Sequence, residues 1–266
     1  FPEKAVLVLA NSAANSVLHI YDAKDNTLWM SFTGSADSGW SSAKFLNVSG
    51  ATKSVTALNG IIYIAVTGDA GLLRANFKTE DLHTITINNS VYLRPGTIDT
   101  RNSTLDPYTG TDAPIIVDED VNDVSAAVVD GKTYVAIATD GGVSVINETD
   151  KTVVDFANTT TLKASSDVWL TSGGDLYFTT QNHPTLSGYE FWVVYDAYLE
   201  NTDQSGGSIY DVRYRESSGP PYVHSQVGDA AENIKDIFIT EGTSFVDGIS
   251  NTIFLATGDG VDKLSE

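Results

Sequence analysis

Asp123, Asp167 and Asp236 open three similar stretches of the sequence, as NDV, SDV and KDI, and Ser54 holds the same place in KSV. Three carboxylates and a hydroxyl at one repeated position are hard oxygen donors, the set that Ca²⁺ or Mg²⁺ takes. Gathered without a cation, such carboxylates repel one another and rise in pKa. The simpler reading is that each Asp accepts backbone N–H bonds within its own turn. A second acidic group, Asp118-Glu119-Asp120, lacks the Gly and the terminal Glu of an EF-hand loop and reads as a solvated loop.

A second set of residues suits binding. Trp40, Tyr92, Tyr108, Tyr189, Trp192 and Tyr222 lie in or beside long stretches without strand pattern. Exposed rings stack on sugar faces or anchor protein contacts. Trp29 and Trp169 sit inside strand patterns and are expected in the core.

Catalysis has little to draw on. His19, His83, His183 and His224 are scattered with no metal-type spacing, and His19 alternates with Leu18 and Ile20 as a strand-face residue. There is no cysteine, no nucleophile elbow and no phosphate loop. Carboxylates are plentiful, and a glycosidase needs two of them about 5–10 Å apart across a sugar. An extracellular carbohydrate-active enzyme working through such a pair is therefore the alternative to a binding module.

The elements that position these residues come from a repeat. Its clearest copy, Asn122–Phe156, reads as four strands: Val124–Val129, Thr133–Thr139, Val143–Asn147 and Thr152–Phe156. Asp130-Gly131 and Asp140-Gly141-Gly142 supply the tight turns, since Asp and Gly tolerate positive φ. Short β-rich runs between such turns form an antiparallel meander, the form of one propeller blade. Partial copies cover residues 5–32, 54–87, 167–214 and 234–264, which makes five units with 122–156. The expected fold is an all-β, single-domain β-propeller of about five antiparallel blades over residues 1–266. The first unit lacks an inner strand and the last an outer one, as in a piece of a longer chain. Phe1 in place of Met fits the same expectation. Excess length falls at Thr33–Lys53, Asn88–Val121 and His183–Glu190, and long loops on a rigid scaffold are where function concentrates.

Composition narrows the partners. The 266 residues carry 15 basic and 35 acidic side chains, a net charge of −20, which opposes binding to a phosphate backbone. Hydrophobic residues make up 41% of the chain, enough for a real core. No run approaches the roughly 18 apolar residues that span a membrane as a helix.

The stretch VNDVSAAVVDGKTYVAIATDGGVSVI, Val121–Ile146, resembles propeller repeats in structural and tail-associated proteins of marine tailed bacteriophages. SVTALNGIIYIAVTGDAGLL, and GTIDTRNS ahead of VDEDVNDV, are similar in kind and order. The resemblance covers about half of the chain. It implies a virion component or host-surface-binding appendage, extracellular or virion-borne, with protein partners or a cell-surface glycan and no catalytic residues.

Overall fold

The computed structural model describes residues 1–12, 15–34, 46, 50–68, 71–87, 91–94, 98, 108–110, 115–157, 164–180, 190–200, 202–204, 212–215, 236–240, 252–257 and 260–265. The fold is all-β, of the β-propeller class read from the repeat. Among the described residues five antiparallel meanders follow one another, each with its strands hydrogen-bonded in sequence order. No α-helix occurs among the described residues. The chain divides into two compact units, Phe1–Val124 and Ser125–Glu266.

The first unit holds two sheets. One is β1 (Ala5–Ser12), β2 (Asn15–Asp22) and β3 (Thr27–Thr33). The other runs β4 (Thr52–Leu58), β5 (Ile61–Val66), β6 (Leu72–Asn76), β7 (Asp81–Ile85), β8 (Val91–Arg94) and β9 (Tyr108–Gly110). β8 and β9 correct the expectation that Asn88–Val121 has no pattern of its own. Their pairing carries the ladder two strands past β7. Ile62 to Val66 are all buried, as befits a strand covered on both faces. Leu18, Ile20, Phe32, Ile62, Ile64, Val66 and Leu73 form the core of this unit.

β10 (Val121–Val129) crosses the boundary and begins the third sheet, with β11 (Lys132–Thr139), β12 (Gly142–Asn147) and β13 (Thr152–Phe156). The fourth sheet is β14 (Val168–Leu170), β15 (Leu176–Thr180), β16 (Glu190–Val194) and β17 (Val212–Arg215). The fifth is β18 (Asp236–Thr240), β19 (Thr252–Thr257) and β20 (Gly260–Ser265). In the second unit β14 lies beside both β11 and β18. Val145, Val154, Phe156, Leu176, Phe178 and Trp192 belong to one shared core there.

Turn chemistry sets the registers. The β4–β5 hairpin turns on Asn59-Gly60 at φ 53° and 77°, and β10–β11 turns on Asp130-Gly131 at 48° and 75°. Two consecutive positive φ values make the turn whose twist matches antiparallel strands. A further turn recurs in three sheets. Asp22, Asn76 and Asn147 each accept backbone N–H bonds on the side-chain oxygen. Asn26, Glu80 and Lys151, four residues on, each adopt φ near 60°. These Asx turns align β2–β3 with β6–β7 and β12–β13. β1 then matches β5 and β11, so among the described residues the first sheet has no counterpart of β4 or β10, as its sequence indicates. Among the described residues the fifth sheet likewise has three strands.

Candidate functional site

In the second unit the Asx turn after β12 meets the chain that leaves β16, and a cleft of about 430 Å³ opens between them. Tyr134 on β11 stands directly across from Asn147 on β12. Asn147 is buried at the start of the turn. Its Oδ1 accepts from the backbone N–H groups of Thr149 and Asp150, both at 3.0 Å. Its Nδ2 donates to the Tyr134 hydroxyl and to Asp150 Oδ2, both at 3.1 Å. One side chain thus closes the turn and fixes both a ring and a carboxylate.

Lys132 Nζ reaches Asp150 Oδ2 at 2.6 Å. The hydrogen bond from Lys132 lowers the Asp150 pKa below the usual carboxylate value, and Asp150 raises that of Lys132. Asp150 is therefore a fixed anion and an acceptor at neutral pH.

The opposite wall is built by a reversal after β16. Asp196, at φ 49°, ends the extended run and starts a 3₁₀ turn, Ala197–Leu199. Two bonds tie this turn to the preceding hairpin. The Asp196 N–H donates to Asp175 Oδ1 at 3.1 Å, and the Ala197 N–H donates to the Gly174 carbonyl at 2.9 Å. Gly174 has φ 94°, and a Cβ there would overlap the Tyr198 ring, so only glycine lets that ring lie over the hairpin. Tyr198 meets Tyr134 edge to face, with centroids 6.0 Å apart. Desolvation, followed by the Asp130 carboxylate bonded to its hydroxyl, raises the Tyr198 phenol pKa. Glu200 completes this wall.

The cleft presents the half-buried Tyr198 ring, one cation and the carboxylates Asp130, Asp150 and Glu200. Such a set hydrogen-bonds hydroxyls and stacks on an apolar ring face.

The residues singled out in the sequence are placed as follows. Asp167 precedes β14, Asp236 opens β18, and Asp123 and Ser54 are the third residues of β10 and β4. Ser54 and Asp123 belong to the first unit, Asp167 and Asp236 to the second. Asp167 is buried and accepts from Ser166 Oγ at 2.5 Å and Thr179 Oγ1 at 3.2 Å. Its own N–H donates to Thr179 Oγ1 at 3.1 Å. Local hydroxyls thus occupy this carboxylate. Asp236 is exposed, and Asp123 and Ser54 are half-buried. Among the described residues no three His, Asp or Glu side chains gather in a way that could hold a metal ion.

Trp192 requires a correction. It lies in mid-strand on β16, 2% exposed, with its ring 5.8 Å from that of Phe178. It is a core residue and not a binding surface. Trp29 is corrected in the other direction. It is 40% exposed on β3, against Phe1 and Phe77. Trp169 packs beside the buried Tyr177 and Phe191 cluster, as expected. Tyr92 and Tyr108 fall on β8 and β9, while Trp40, Tyr189 and Tyr222 lie outside the described residues. Asp120 is less solvated than expected, because its Oδ1 accepts the Gly68 N–H at 2.5 Å. His19 is half-buried on β2, and His83 Nε2 stands 3.4 Å from Asp81 on β7. His183 and His224 are outside the described residues. Sequence reading missed Tyr134, Asn147 and Tyr198. The Asn147 turn had a usable signal, since Asn76 and Asp22 repeat it.

No family model and no curated protein sequence matches the chain. Solved structures similar to it along nearly its whole length include Sqt1 of Saccharomyces cerevisiae, at 10% identity and a TM-score of 0.49, covering 99% of this chain and 56% of that one. The WD40 repeats of RRP9 follow at 11% and 0.44, covering 97% and 62%. The major Malassezia sympodialis allergen Mala s 1 is similar at 11% and 0.40, covering 100% and 79%. The chain spans less than two thirds of the length of the first two. At 10–11% identity no residue role carries over from any of them.

Proposed function

We propose that the chain is a non-catalytic binding module that takes a neutral glycan in the Tyr134–Tyr198 cleft. The observation that carries this reading is the Tyr198 ring, set edge to face on Tyr134 in a cleft that Asp150 also lines, with Asp150 held by Lys132 and Asn147. Pre-ordered rings and acceptors cost little entropy on binding. Three carboxylates against one lysine disfavour an acidic sugar. Asp150, held ionised by Lys132, serves a sugar hydroxyl as acceptor and has no proton to give a leaving group. The likeness of Val121–Ile146 to phage structural repeats supports an extracellular or virion setting, with protein partners engaged elsewhere on the chain.

A panel of neutral and acidic oligosaccharides, immobilised and probed with the intact chain, tests this. Binding confined to neutral glycans and lost in Tyr198→Ala, with no cleavage products, is the expected result. Binding unaffected by Tyr198→Ala, or hydrolysis of a bound glycan, overturns the proposal.

A further inference from the structure

The Asx turns give three of the sheets a common register, and that register isolates one open face. Ala5, Ile61 and Tyr134 stand directly across from the turn residues Asp22, Asn76 and Asn147. Val6 is therefore equivalent to Ile62 and Val135, and Val8 to Ile64 and Ile137. Ile62, Ile64, Val135 and Ile137 are each 0% exposed, whereas Val6 is 48% and Val8 42% exposed. Ile62 and Ile64 share a core cluster with Leu18, Ile20 and Phe32, which lie on the other face of the first sheet. In the second sheet, the cover at this register position is the face of another sheet of the same repeat.

Cross-strand pairing extends the open face beyond β1. Tyr21 and then Leu28 stand across from Val6, and His19 and then Ser31 from Val8. In a chain of net charge −20, none of these six positions is Asp, Glu, Lys or Arg. An exposed sheet face that is apolar and free of such charges is suited to association. Matching chemistry lies on the fifth sheet. Its Ile237, Ile239 and Ile253 pack against Tyr177 and Phe191 of the fourth, so an aromatic face meets an aliphatic one there. Alternate residues of the same strands turn the other way. Phe238, 52% exposed, stands across from Phe254 with ring centroids 6.1 Å apart, and Trp169 flanks it at 5.5 Å.

We propose that the Val6–Val8 face of one copy packs on the Phe238–Phe254 face of a second copy, so that the chain associates head to tail. The contact repeats between copies the aromatic-on-aliphatic packing that joins the fourth and fifth sheets within one chain. Two different faces meet, so each copy in a pair keeps one of them free, and association either closes as a ring or continues. Neither face contains a residue of the Tyr134–Tyr198 cleft, and the proposal does not rest on the glycan reading.

Sedimentation velocity of the intact chain across about 1–200 μM tests this. The sedimentation coefficient should rise with concentration. Val8→Lys and Phe238→Lys should each stay monomeric, because either one buries an unpaired ammonium in an apolar contact. Both positions are exposed, so both variants should keep the circular dichroism and melting of the intact chain. An equimolar mixture of the two variants retains one good pair of faces and should form a heterodimer, with an affinity within about tenfold of the intact contact. An intact chain that stays monomeric throughout, association that survives either substitution, or a mixture that stays monomeric overturns the proposal. Glycan binding is read separately on monomeric Val8→Lys, so failure of one reading is distinguishable from failure of the other.

Discussion

Asn147 donates its side-chain amide to the Tyr134 hydroxyl at 3.1 Å while its carbonyl oxygen caps the turn that presents Asp150. The same capping role at Asp22 and Asn76 serves only the turn. In the third sheet the repeat's own punctuation has become part of a cleft, because the residue facing it across the ladder is a tyrosine.

Asn147→Ala removes two turn bonds and leaves a buried hydroxyl short of its donor. A loss of about 2–3 kcal/mol in unfolding free energy is expected from denaturant titration. Tyr134→Phe deletes the hydroxyl alone and is expected to cost about 1 kcal/mol. The double variant should cost less than the sum, since both break one bond.

Gly174→Ala forces a Cβ toward the Tyr198 ring at a positive-φ position. A destabilisation of about 1–3 kcal/mol is expected, from backbone strain and displacement of the ring. Combining it with Tyr198→Ala relieves the steric part, so the Gly174→Ala cost should fall in that background. Equal cost in both backgrounds would place the strain in the backbone alone.

Trp192→Ala opens a cavity in the second core and is expected to cost about 3–5 kcal/mol. Trp29→Ala, at a partly exposed ring cluster, should cost about 1 kcal/mol. Acrylamide quenching of single-tryptophan variants should separate the two rings, with Trp29 expected to be accessible and Trp192 shielded.

Asp155→Asn removes a carboxylate that is costly to ionise in the folded state. The variant should melt at higher temperature than the unsubstituted chain at pH 8. The difference should shrink through pH 6 and disappear by about pH 4, where both side chains are neutral. A difference that grows toward acid would reverse the assigned sign.

Strand order was legible in the sequence where turn residues carry their own geometry. Asp130-Gly131 and Asn59-Gly60 mark hairpins by their need for positive φ, and Thr152–Phe156 is found with the bounds expected. Legibility ended where the chain turns without Gly or Pro. Asp196 breaks the run after β16 at φ 49°, and no Gly or Pro marks the 3₁₀ turn that carries Tyr198. β16 also lacks alternation, because Phe191, Trp192, Val193 and Val194 are all buried, and this left Trp192 readable as a loop ring. The Pro- and Gly-rich composition of 88–121 masked two short strands in the same way. The cleft depends on a contact between β11 and a turn more than 60 residues later, which no local pattern records.

The most direct test of the central claim is the dissociation constant of the strongest neutral oligosaccharide from the panel, measured by calorimetry for the intact chain and for Tyr198→Ala. Stacking on one ring contributes about 1–1.5 kcal/mol, so a weakening of roughly five- to tenfold is expected, with melting behaviour largely retained. An unchanged constant in Tyr198→Ala would contradict the assignment of the Tyr134–Tyr198 cleft as the ligand site.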